Sequence, residues 1–228
     1  MIFGGLEKFT LIDYPGKTAC ILYTIGCNFR CPYCHNPELV DETVETRINE
    51  EEVMDFLKTR VGLLDGVVIT GGEPTMHNDL ISFIKKIKEL GFLVKLDSNG
   101  TNPSVLKKAI SEGVVDYIAM DIKSPLSKYS QTVSRPVDIE KIRQSIDLLL
   151  SSPIDYEFRT TLIKSLVSES DVLEIGEEIR GAKKYYLQKF VSTKILNPQF
   201  KNKITYSEEE LTSFQKGLQN YVKYCGIR

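Results

Sequence analysis

Three cysteines with metal-ligand spacing lie close together near the start of the chain. Cys27, Cys31 and Cys34 occupy the run CNFRCPYC, directly after the apolar, strand-like segment TACILYTI. Three thiolates spaced C-x3-C-x2-C can bind one metal centre from one side, and they leave a coordination position for another ligand. This spacing predicts a centre that performs chemistry at its open position.

Two other uses of these cysteines compete with that interpretation. A structural zinc site needs four closed ligands, usually with paired cysteines. His35 is the neighbour of Cys34 and cannot easily turn onto the same metal, while Cys20 and Cys225 form no second pair. A disulfide is disfavoured by the odd number of cysteines and by the absence of an export signal. A [4Fe–4S] cluster with three thiolates is the favoured hypothesis, and zinc stays open as the alternative.

Composition and charge narrow the class of protein. With 42% hydrophobic and 26% charged residues over 228 positions, the chain has enough apolar material for one core. The net charge of −2 provides no general basic field for nucleic acid or a membrane surface. We find no signal peptide and no apolar run of the roughly 20 residues that a membrane span needs. We therefore expect a cytoplasmic protein with neither kind of partner.

Strand-like and helix-like segments alternate along the chain. The strand-like segments are TACILYTI, GVVITGG, FLVKLDSNG, VVDYIAMDIK, IDYEFRTTLI and YLQKFVSTKIL. Amphipathic segments of helical period lie between them, and SEEELTSFQKGLQNYVKY closes the chain as a predicted helix. About six β/α units predict a parallel sheet with right-handed crossovers, short of the eight units of a full barrel. We expect a partial, open (β/α)6 barrel in one domain that spans residues 1–228.

Residues able to bind a ligand follow the predicted strands at their carboxyl ends, where parallel β/α folds bind ligands. They are Gly71, Gly72, Glu73 and Pro74 after the second strand, Asp97, Ser98 and Asn99 after the third, Asp121 and Lys123 at the fourth, Arg159 on the fifth and Asn197 after the sixth. Each motif also has an ordinary explanation. The glycines and Asn-Gly favour turns, and Lys123 could form a strand-end salt bridge. An arginine buried on an apolar strand needs an anion.

The cysteine motif resembles that of the radical S-adenosylmethionine (SAM) enzymes, with Tyr33 as the aromatic residue of C-x3-C-x-aromatic-C. The resemblance implies a [4Fe–4S] cluster held by the three cysteines, with SAM on the open iron, and it implies the partial barrel. The segment Gly71–Pro74 resembles the GGEP motif, whose backbone and glutamate hold the amino group of SAM. The family's glycine-rich pattern on strand five is absent, which leaves the packing of the adenine unassigned.

Two further segments resemble the glycyl radical activating enzymes. DSNG is similar to their D-T-N-G, with Ser98 in place of threonine, and MDIK is similar to their D-x-K. In one branch, the first segment and Asp121 help to bind a monovalent cation beside SAM. The resemblance also implies that Asp121 contacts the ribose or this cation and that Arg159 meets the SAM carboxylate. The remaining implied cofactor contacts are Tyr33, Asn36, Asp97, Asn99, Lys123 and Asn197.

The whole chain resembles activating proteins of anaerobic ribonucleoside-triphosphate reductase, most specifically from Gly4 to Val40 and least after Lys164. That resemblance implies a flavodoxin or ferredoxin as electron donor. It also implies removal of a hydrogen atom from a backbone glycine of the large reductase subunit. Asp13, in a D-x-P-G turn, could lie by the incoming glycine loop or simply shape the turn.

Three alternatives remain for the function. The chain could activate another glycyl radical enzyme, of the pyruvate formate-lyase type. It could act on a small molecule, although such enzymes of the deazapurine synthase group usually have a longer gap between their first two cysteines. From a different class, it could be a zinc-binding interaction module, which would leave the GGEP segment unexplained.

Overall fold

The computed structural model describes residues 1–192 and 194–228, in which helices alternate with strands after the first hairpin. The strands are β1 Ile2–Thr10, β2 Ala19–Thr24, β3 Ile48–Asn49, β4 Gly66–Gly71, β5 Leu93–Ser98, β6 Tyr117–Asp121, β7 Asp155–Leu162, β8 Tyr185–Lys189 and β9 Cys225–Ile227. The α-helices are α1 Pro37–Val40, α2 Glu50–Lys58, α3 Leu80–Glu89, α4 Pro103–Ser111, α5 Tyr129–Thr132, α6 Ile139–Leu150, α7 Glu169–Glu178 and α8 Glu208–Gly217.

The chain divides into two compact units. The first comprises Met1–Asn28, Glu38–Ser98 and Asn102–Ile118, and the second comprises Phe29–Pro37, Asn99–Thr101 and Ala119–Arg228. In the first unit the strands follow the order β3-β1-β2-β4-β5, and the chain passes to the second unit within β6, after which the order is β7-β8-β9. β3 and β9 are the two edge strands of the sheet, which is therefore open and does not close into a barrel. The predicted open β/α architecture is confirmed, while the single domain stays a prediction.

The first unit contains a strand that the sequence did not predict. β1 pairs antiparallel with both β2 and β3, whereas β2, β4 and β5 pair in parallel. The expectation of a wholly parallel sheet is therefore wrong at this edge. Of the nine residues of β1, only Phe3 and Thr10 are buried. Such a strand lacks the apolar run or strict alternation that identifies strands in a sequence.

In the second unit β7, β8 and β9 pair in parallel. The end of the chain differs from the prediction, because α8 stops at Gly217 and a short 3-10 turn leads into β9. Cys225 and Gly226 are buried in that strand. Three residues are too few to show a period, so the sequence predicted only a longer helix.

Local sequence signals fix where several helices begin. Asn49, Ser168 and Ser207 each form a reciprocal capping box with the acidic residue three positions later. Asn102 precedes Pro103, whose fixed φ suits the first position of α4. None of the described helices combines the length and the apolar character that crossing a bilayer requires.

Candidate active site

The three motif cysteines are free thiols on the segment that follows β2. Cys31 is buried, whereas Cys27 and Cys34 are half-buried. Cys27 belongs to the first unit, and Cys31 and Cys34 belong to the second. Partial exposure leaves thiols able to deprotonate and bind a metal.

Backbone hydrogen bonds hold the cysteine segment of the second unit. The Cys34 N–H donates to Cys31 O at 3.0 Å, which closes a turn around Pro32 and Tyr33. The N–H of Leu196 donates to Cys34 O at 3.0 Å, and the N–H of Asn197 donates to Pro32 O at 2.9 Å. The structure therefore brings Asn197 to this segment through its backbone. Its side-chain oxygen accepts instead from the N–H of Gln199 at 3.0 Å.

In the first unit, the GGEP segment lies against the residues just before Cys27. The Gly72 N–H donates to Thr24 O at 2.9 Å, and the Glu73 N–H donates to Gly26 O at 2.8 Å. A Cβ on Gly72 would stand 1.9 Å from Gly26 O. Gly71 has φ +114°, and a Cβ there would stand 2.4 Å from the Thr24 nitrogen. Both glycines are therefore required by close backbone approach and, at Gly71, by positive φ.

Glu73 is 1% exposed and is held by donors from three directions. Its Oε1 accepts from the N–H of Thr75 at 3.1 Å and from the hydroxyls of Thr75 and Ser98, the latter at 2.9 Å. Asn102 in turn donates to the hydroxyl oxygen of Thr75 at 3.0 Å. Pro74 starts the 3-10 turn that follows Glu73 and is buried. A buried carboxylate with fixed donors on one oxygen is oriented before any ligand arrives.

The DSNG segment contributes three differently paired side chains. Asp97 is ion-paired with the ammonium of Lys95, which is 1% exposed. Ser98 donates to Glu73, which links this segment to GGEP. Asn99 belongs to the second unit, and its side-chain oxygen accepts from the N–H of Thr101 at 3.0 Å.

Asp121, Lys123 and Arg159 form one charged group in the second unit. Asp121 Oδ1 accepts from Arg159 Nε at 2.8 Å, and Asp121 Oδ2 accepts from Lys123 Nζ at 3.0 Å. Burial opposes ionisation of Asp121, but Arg159 and Lys123 outweigh it and hold the pKa of the carboxyl below its usual range. The sequence predicted an anion beside Arg159, and the carboxylate of Asp121 is such an anion within the protein. The Asp121 carboxylate therefore pairs with two cationic side chains, one on each oxygen.

Tyr33 carries an unpaired polar atom beside this charged group. Its side chain is 6% exposed, and its hydroxyl has no hydrogen-bond partner among the described residues. Burial raises the pKa of Tyr33, and the charges of Cys31 and Asp121 raise it further. An orphaned buried hydroxyl near Lys123 and Cys31 indicates a place where a polar ligand could complete the site.

Asp13 and Asn36 are the two predicted residues with the weakest connection to the others. Asp13 accepts from the hydroxyl of Thr10 in the connection before β2, at the opposite end of that strand from Cys27. The pKa of Tyr23 is raised to about 12, first by burial, then by the charge of Glu7 and then by the charge of Asp13. Asn36 is half-buried and directly precedes α1.

The donor set fits a [4Fe–4S] cluster and SAM. Three free thiols on one segment supply the soft ligands that such clusters use, and the orphaned Tyr33 hydroxyl indicates an unfilled polar contact. Within residues 1–192 and 194–228, no three His, Cys, Asp or Glu side chains meet as a site for a single ion. Cluster ligands bind different irons, so they do not need to converge on one point.

Sequence reasoning missed five residues that support the site. Thr75 and Asn102 fix Glu73, and the Nε2 of His77 lies 3.0 Å from Ile25 O, just before the cysteine segment. Tyr129 donates to Asp121 O at 3.2 Å, beside the charged group. Lys95 had a recognisable signal, because a charged residue interrupts the apolar strand LVKLDS. The other four have polar side chains in turns and short helices, where such residues are ordinary.

Comparison with known proteins agrees with these observations. A family model described as the radical SAM superfamily matches residues 21–183. The chain is 33% identical over 237 residues to a protein of Methanocaldococcus jannaschii named "Putative glycyl-radical enzyme activating enzyme", covering 100% of this chain and 95% of that one. It is 28% identical over 124 residues to the pyruvate formate-lyase-activating enzyme of Clostridium pasteurianum, covering about half of each chain (52% and 51%).

Solved structures share the fold. A radical SAM methyltransferase from Sphaerobacter thermophilus superposes with a TM-score of 0.71 at 16% identity, covering 96% of this chain and 68% of the other. SuiB of Streptococcus suis, solved with bound S-adenosylmethionine, gives 0.69 at 11% identity, covering 91% and 49%. Family membership implies a [4Fe–4S] cluster and SAM as cofactors. The chain belongs to the radical SAM superfamily and, within it, to the glycyl-radical enzyme activating enzymes.

Proposed function

We propose that this protein activates anaerobic ribonucleoside-triphosphate reductase by removing a hydrogen atom from a backbone glycine of its large subunit. The observation that carries the proposal is the backbone connection between the GGEP segment and the residues before Cys27, through Gly72 and Glu73. It supports a site in which a cluster and the amino group of SAM have a fixed relation. Catalysis by such an enzyme is mostly positioning, because the cofactors carry the bond-breaking chemistry.

Cys27, Cys31 and Cys34 would hold the cluster, each as a thiolate. When bound, the reduced cluster and SAM supply a one-electron cleavage of the sulfonium that yields methionine and a 5′-deoxyadenosyl group able to abstract hydrogen. The hydrogen removed from the glycine Cα would pass to that group to give 5′-deoxyadenosine, and the unpaired electron would stay on the glycine. No general base is required in this sequence of steps, so the protein's own residues bind and orient the reactants.

The remaining site residues divide by the part of SAM that they would meet. Glu73, oriented by Thr75 and Ser98, accepts from the ammonium of the methionine moiety. Lys123 and Arg159, the two cationic side chains beside Asp121, attract the carboxylate. We assign further contacts with SAM or the cluster segment to these residues, through the backbone in the case of the two glycines: Tyr33, Asn36, Gly71, Gly72, Pro74, Asp97, Ser98, Asn99, Asp121 and Asn197. Asp13, which was expected beside the incoming glycine loop, lies at the opposite end of β2 from Cys27, so we assign it to the turn before that strand instead.

The choice of target rests on the N-terminal region. The resemblance to activating proteins of the reductase is most specific over Gly4–Val40, which includes the D-x-P-G turn and CPYCHNP. The match to the pyruvate formate-lyase-activating enzyme of Clostridium pasteurianum supports a lyase of that type as the second candidate. A flavodoxin or ferredoxin would supply the electron. Free thiols at all five cysteines favour the cytoplasm, where thiols stay reduced.

The test is electron paramagnetic resonance after anaerobic reconstitution with iron and sulfide. The protein is mixed with dithionite, SAM and either the large reductase subunit or pyruvate formate-lyase, and Cys31→Ala protein serves as the control. A glycyl doublet on the reductase, absent with the variant, is the expected result.

Each other outcome contradicts a defined part of the proposal. A doublet only on the lyase overturns the target and retains the activase. Formation of 5′-deoxyadenosine without a radical on either partner places the substrate elsewhere. A colourless protein that binds zinc and cleaves no SAM overturns the chemistry as a whole.

A further inference from the structure

Lys95 is a charged residue in an apolar part of the first unit. Alternation along β5 places Leu93, Lys95 and Asp97 on one face of the sheet. Leu93 packs there against the cluster formed by Tyr14, Ala19, Ile21, Val68 and Tyr117. In register, Lys95 lies beside Val68, and Val68 lies beside Ile21. Lys95 therefore occupies a position in an apolar row of the sheet, and although its side chain is charged it is only 1% exposed.

Burying an ammonium group has a large desolvation cost unless a partner offsets it. The Lys95 ammonium is ion-paired with the carboxylate of Asp97, two residues nearer the end of the strand. The aliphatic part of the side chain can thus lie in the apolar row while its charge reaches the DSNG segment. This arrangement indicates that the position is used to bring a fixed positive charge to Asp97.

Asp121 has the same kind of neutralisation in the second unit. Lys123 Nζ lies 3.0 Å from one carboxylate oxygen, and Arg159 Nε lies 2.8 Å from the other. Asp97 and Asp121 are the two carboxylates that the resemblance to one branch of the activating enzymes assigns to a monovalent cation. Each of them has a side-chain cation of its own in this chain.

We propose that Lys95, in place of a bound sodium or potassium ion, neutralises Asp97, and that this protein therefore binds SAM without a monovalent cation. The inference rests on the proposed function, because it concerns the same SAM site. Lys95 is a positioning residue in this scheme: its charge keeps the ionised Asp97 carboxylate in place at the strand end. A carboxylate without such a partner would recruit a cation from solution.

The experiment measures the dissociation constant of SAM for the cluster-loaded protein in sodium, potassium and choline chloride at equal ionic strength. Choline is too large to replace a metal ion between oxygen ligands. For the natural sequence we expect the same constant in all three salts. For Lys95→Met, we expect SAM to bind about tenfold more weakly in choline chloride and to recover in sodium or potassium chloride.

Two further variants test whether the response to the cation arises from the Lys95–Asp97 pair. Lys88→Met removes a lysine from another Lys–Asp pair of the first unit, with Asp116 at 2.7 Å, and should show no response to the cation. The double variant Lys95→Met with Asp97→Asn lacks the Asp97 carboxylate itself, so the response should disappear. The line width of the sodium NMR signal gives a readout independent of SAM: it should broaden with Lys95→Met and stay unchanged with the natural sequence.

The SAM affinity of the natural sequence in the three salts tests the inference even if Lys95→Met does not fold. If its SAM affinity falls in choline chloride and returns with sodium or potassium, the inference is overturned. The inference also fails if folded, cluster-loaded Lys95→Met behaves like the natural sequence in every salt. If the cluster-loaded natural protein binds no SAM in any salt, the proposed SAM site fails instead.

Discussion

The hydroxyl of Ser98 donates a hydrogen bond to Oε1 of Glu73 at 2.9 Å, although 25 residues separate them in the chain. Both side chains are buried, and they belong to different strand-end segments, GGEP and DSNG. The residue that is proposed to bind the SAM ammonium is therefore positioned by the neighbouring motif. Ser98 stands in place of the threonine of D-T-N-G, and the hydroxyl that both residues have is the donor to Glu73.

Ser98→Ala should weaken SAM binding and leave the cluster in place. A hydrogen bond to a charged group contributes about 1.5–3 kcal/mol, so loss of this donor should reduce SAM affinity by roughly tenfold or more. The measurement is a SAM titration of reconstituted protein, with iron content determined in parallel. Ser111→Ala, on an exposed helix end, is the control. Loss of iron with unchanged SAM affinity would contradict the role given to Glu73.

Replacement of any one motif cysteine by alanine should abolish SAM cleavage, because each thiolate would bind a different iron. Formation of 5′-deoxyadenosine and iron content are the measurements. Cys20→Ala and Cys225→Ala are matched controls: burial raises the pKa of both thiols to about 12, so neither is a ready ligand. Full activity of Cys27→Ala, Cys31→Ala or Cys34→Ala would remove that residue from the ligand set.

Gly72→Ala should disturb the cysteine segment without altering any proposed ligand. The added Cβ would stand 1.9 Å from Gly26 O, so the backbone just before Cys27 would have to move. We expect less iron after reconstitution and a lower melting temperature. The control is Gly217→Ala, whose Cβ would meet only the end of the Leu173 side chain at 3.2 Å. Equal iron content in the two variants would show that the close approach is unimportant.

Asp121→Asn should destabilise the protein by about 3 kcal/mol, because Lys123 and Arg159 would remain largely buried without their counter-charge. The free energy of unfolding in urea gives the size of this effect. Asp55→Asn, which breaks an exposed pair with Lys58, should have little effect. A result in which both variants match the natural sequence would mean that the Asp121 pairs contribute no net stability.

The pairs of Asp121 also predict a pH dependence. The folded state holds the pKa of this carboxyl below its usual value, so the stabilisation is present at neutral pH. It is lost as the pH falls below the unfolded value of about 4, because the carboxyl must then be protonated. Acid unfolding should therefore be shallower for Asp121→Asn than for the natural sequence. Parallel acid profiles would argue against this assignment.

Glu178 should give a pH dependence of the opposite sign. Its carboxylate accepts from the N–H of Leu126 at 2.9 Å, and burial, followed by the charge of Glu174, raises its pKa from 4.5 to about 7. Between these values the folded protein retains a proton that the unfolded chain releases, so stability falls as the pH rises. Glu178→Gln should lose this decline and melt at a higher temperature at pH 8, whereas exposed Glu209→Gln should not.

The positions of several candidate site residues follow from chain periodicity. Apolar strands end where Gly71, Asp97 and Asp121 break the pattern, and β/α folds bind ligands at the carboxyl ends of such strands. The spacing of the cysteines predicted a metal centre with an open coordination position. The pairings within the site were harder to predict, because an ion pair such as Asp121–Arg159 depends on register between strands that are distant in sequence.

Two features could not be predicted for physical reasons. β1 is mostly half-buried or exposed, so its residues show neither an apolar run nor alternation. Lys95 visibly interrupts an apolar strand, but the sequence does not show that its side chain is buried with the charge directed along the strand toward Asp97. A single sequence records the identity of a residue but not which side chain will neutralise it.

The hydrogen bonds from Gly72 and Glu73 to the carbonyls of Thr24 and Gly26 have a consequence for how such proteins can diverge. They involve only backbone atoms, and they end before Cys27. Insertions or exchanges between the first and last motif cysteines would leave this attachment intact. A chimaera that carries a foreign segment from residue 27 to residue 34 should keep its GGEP segment in register, so the two halves of the cofactor site are separable modules for engineering.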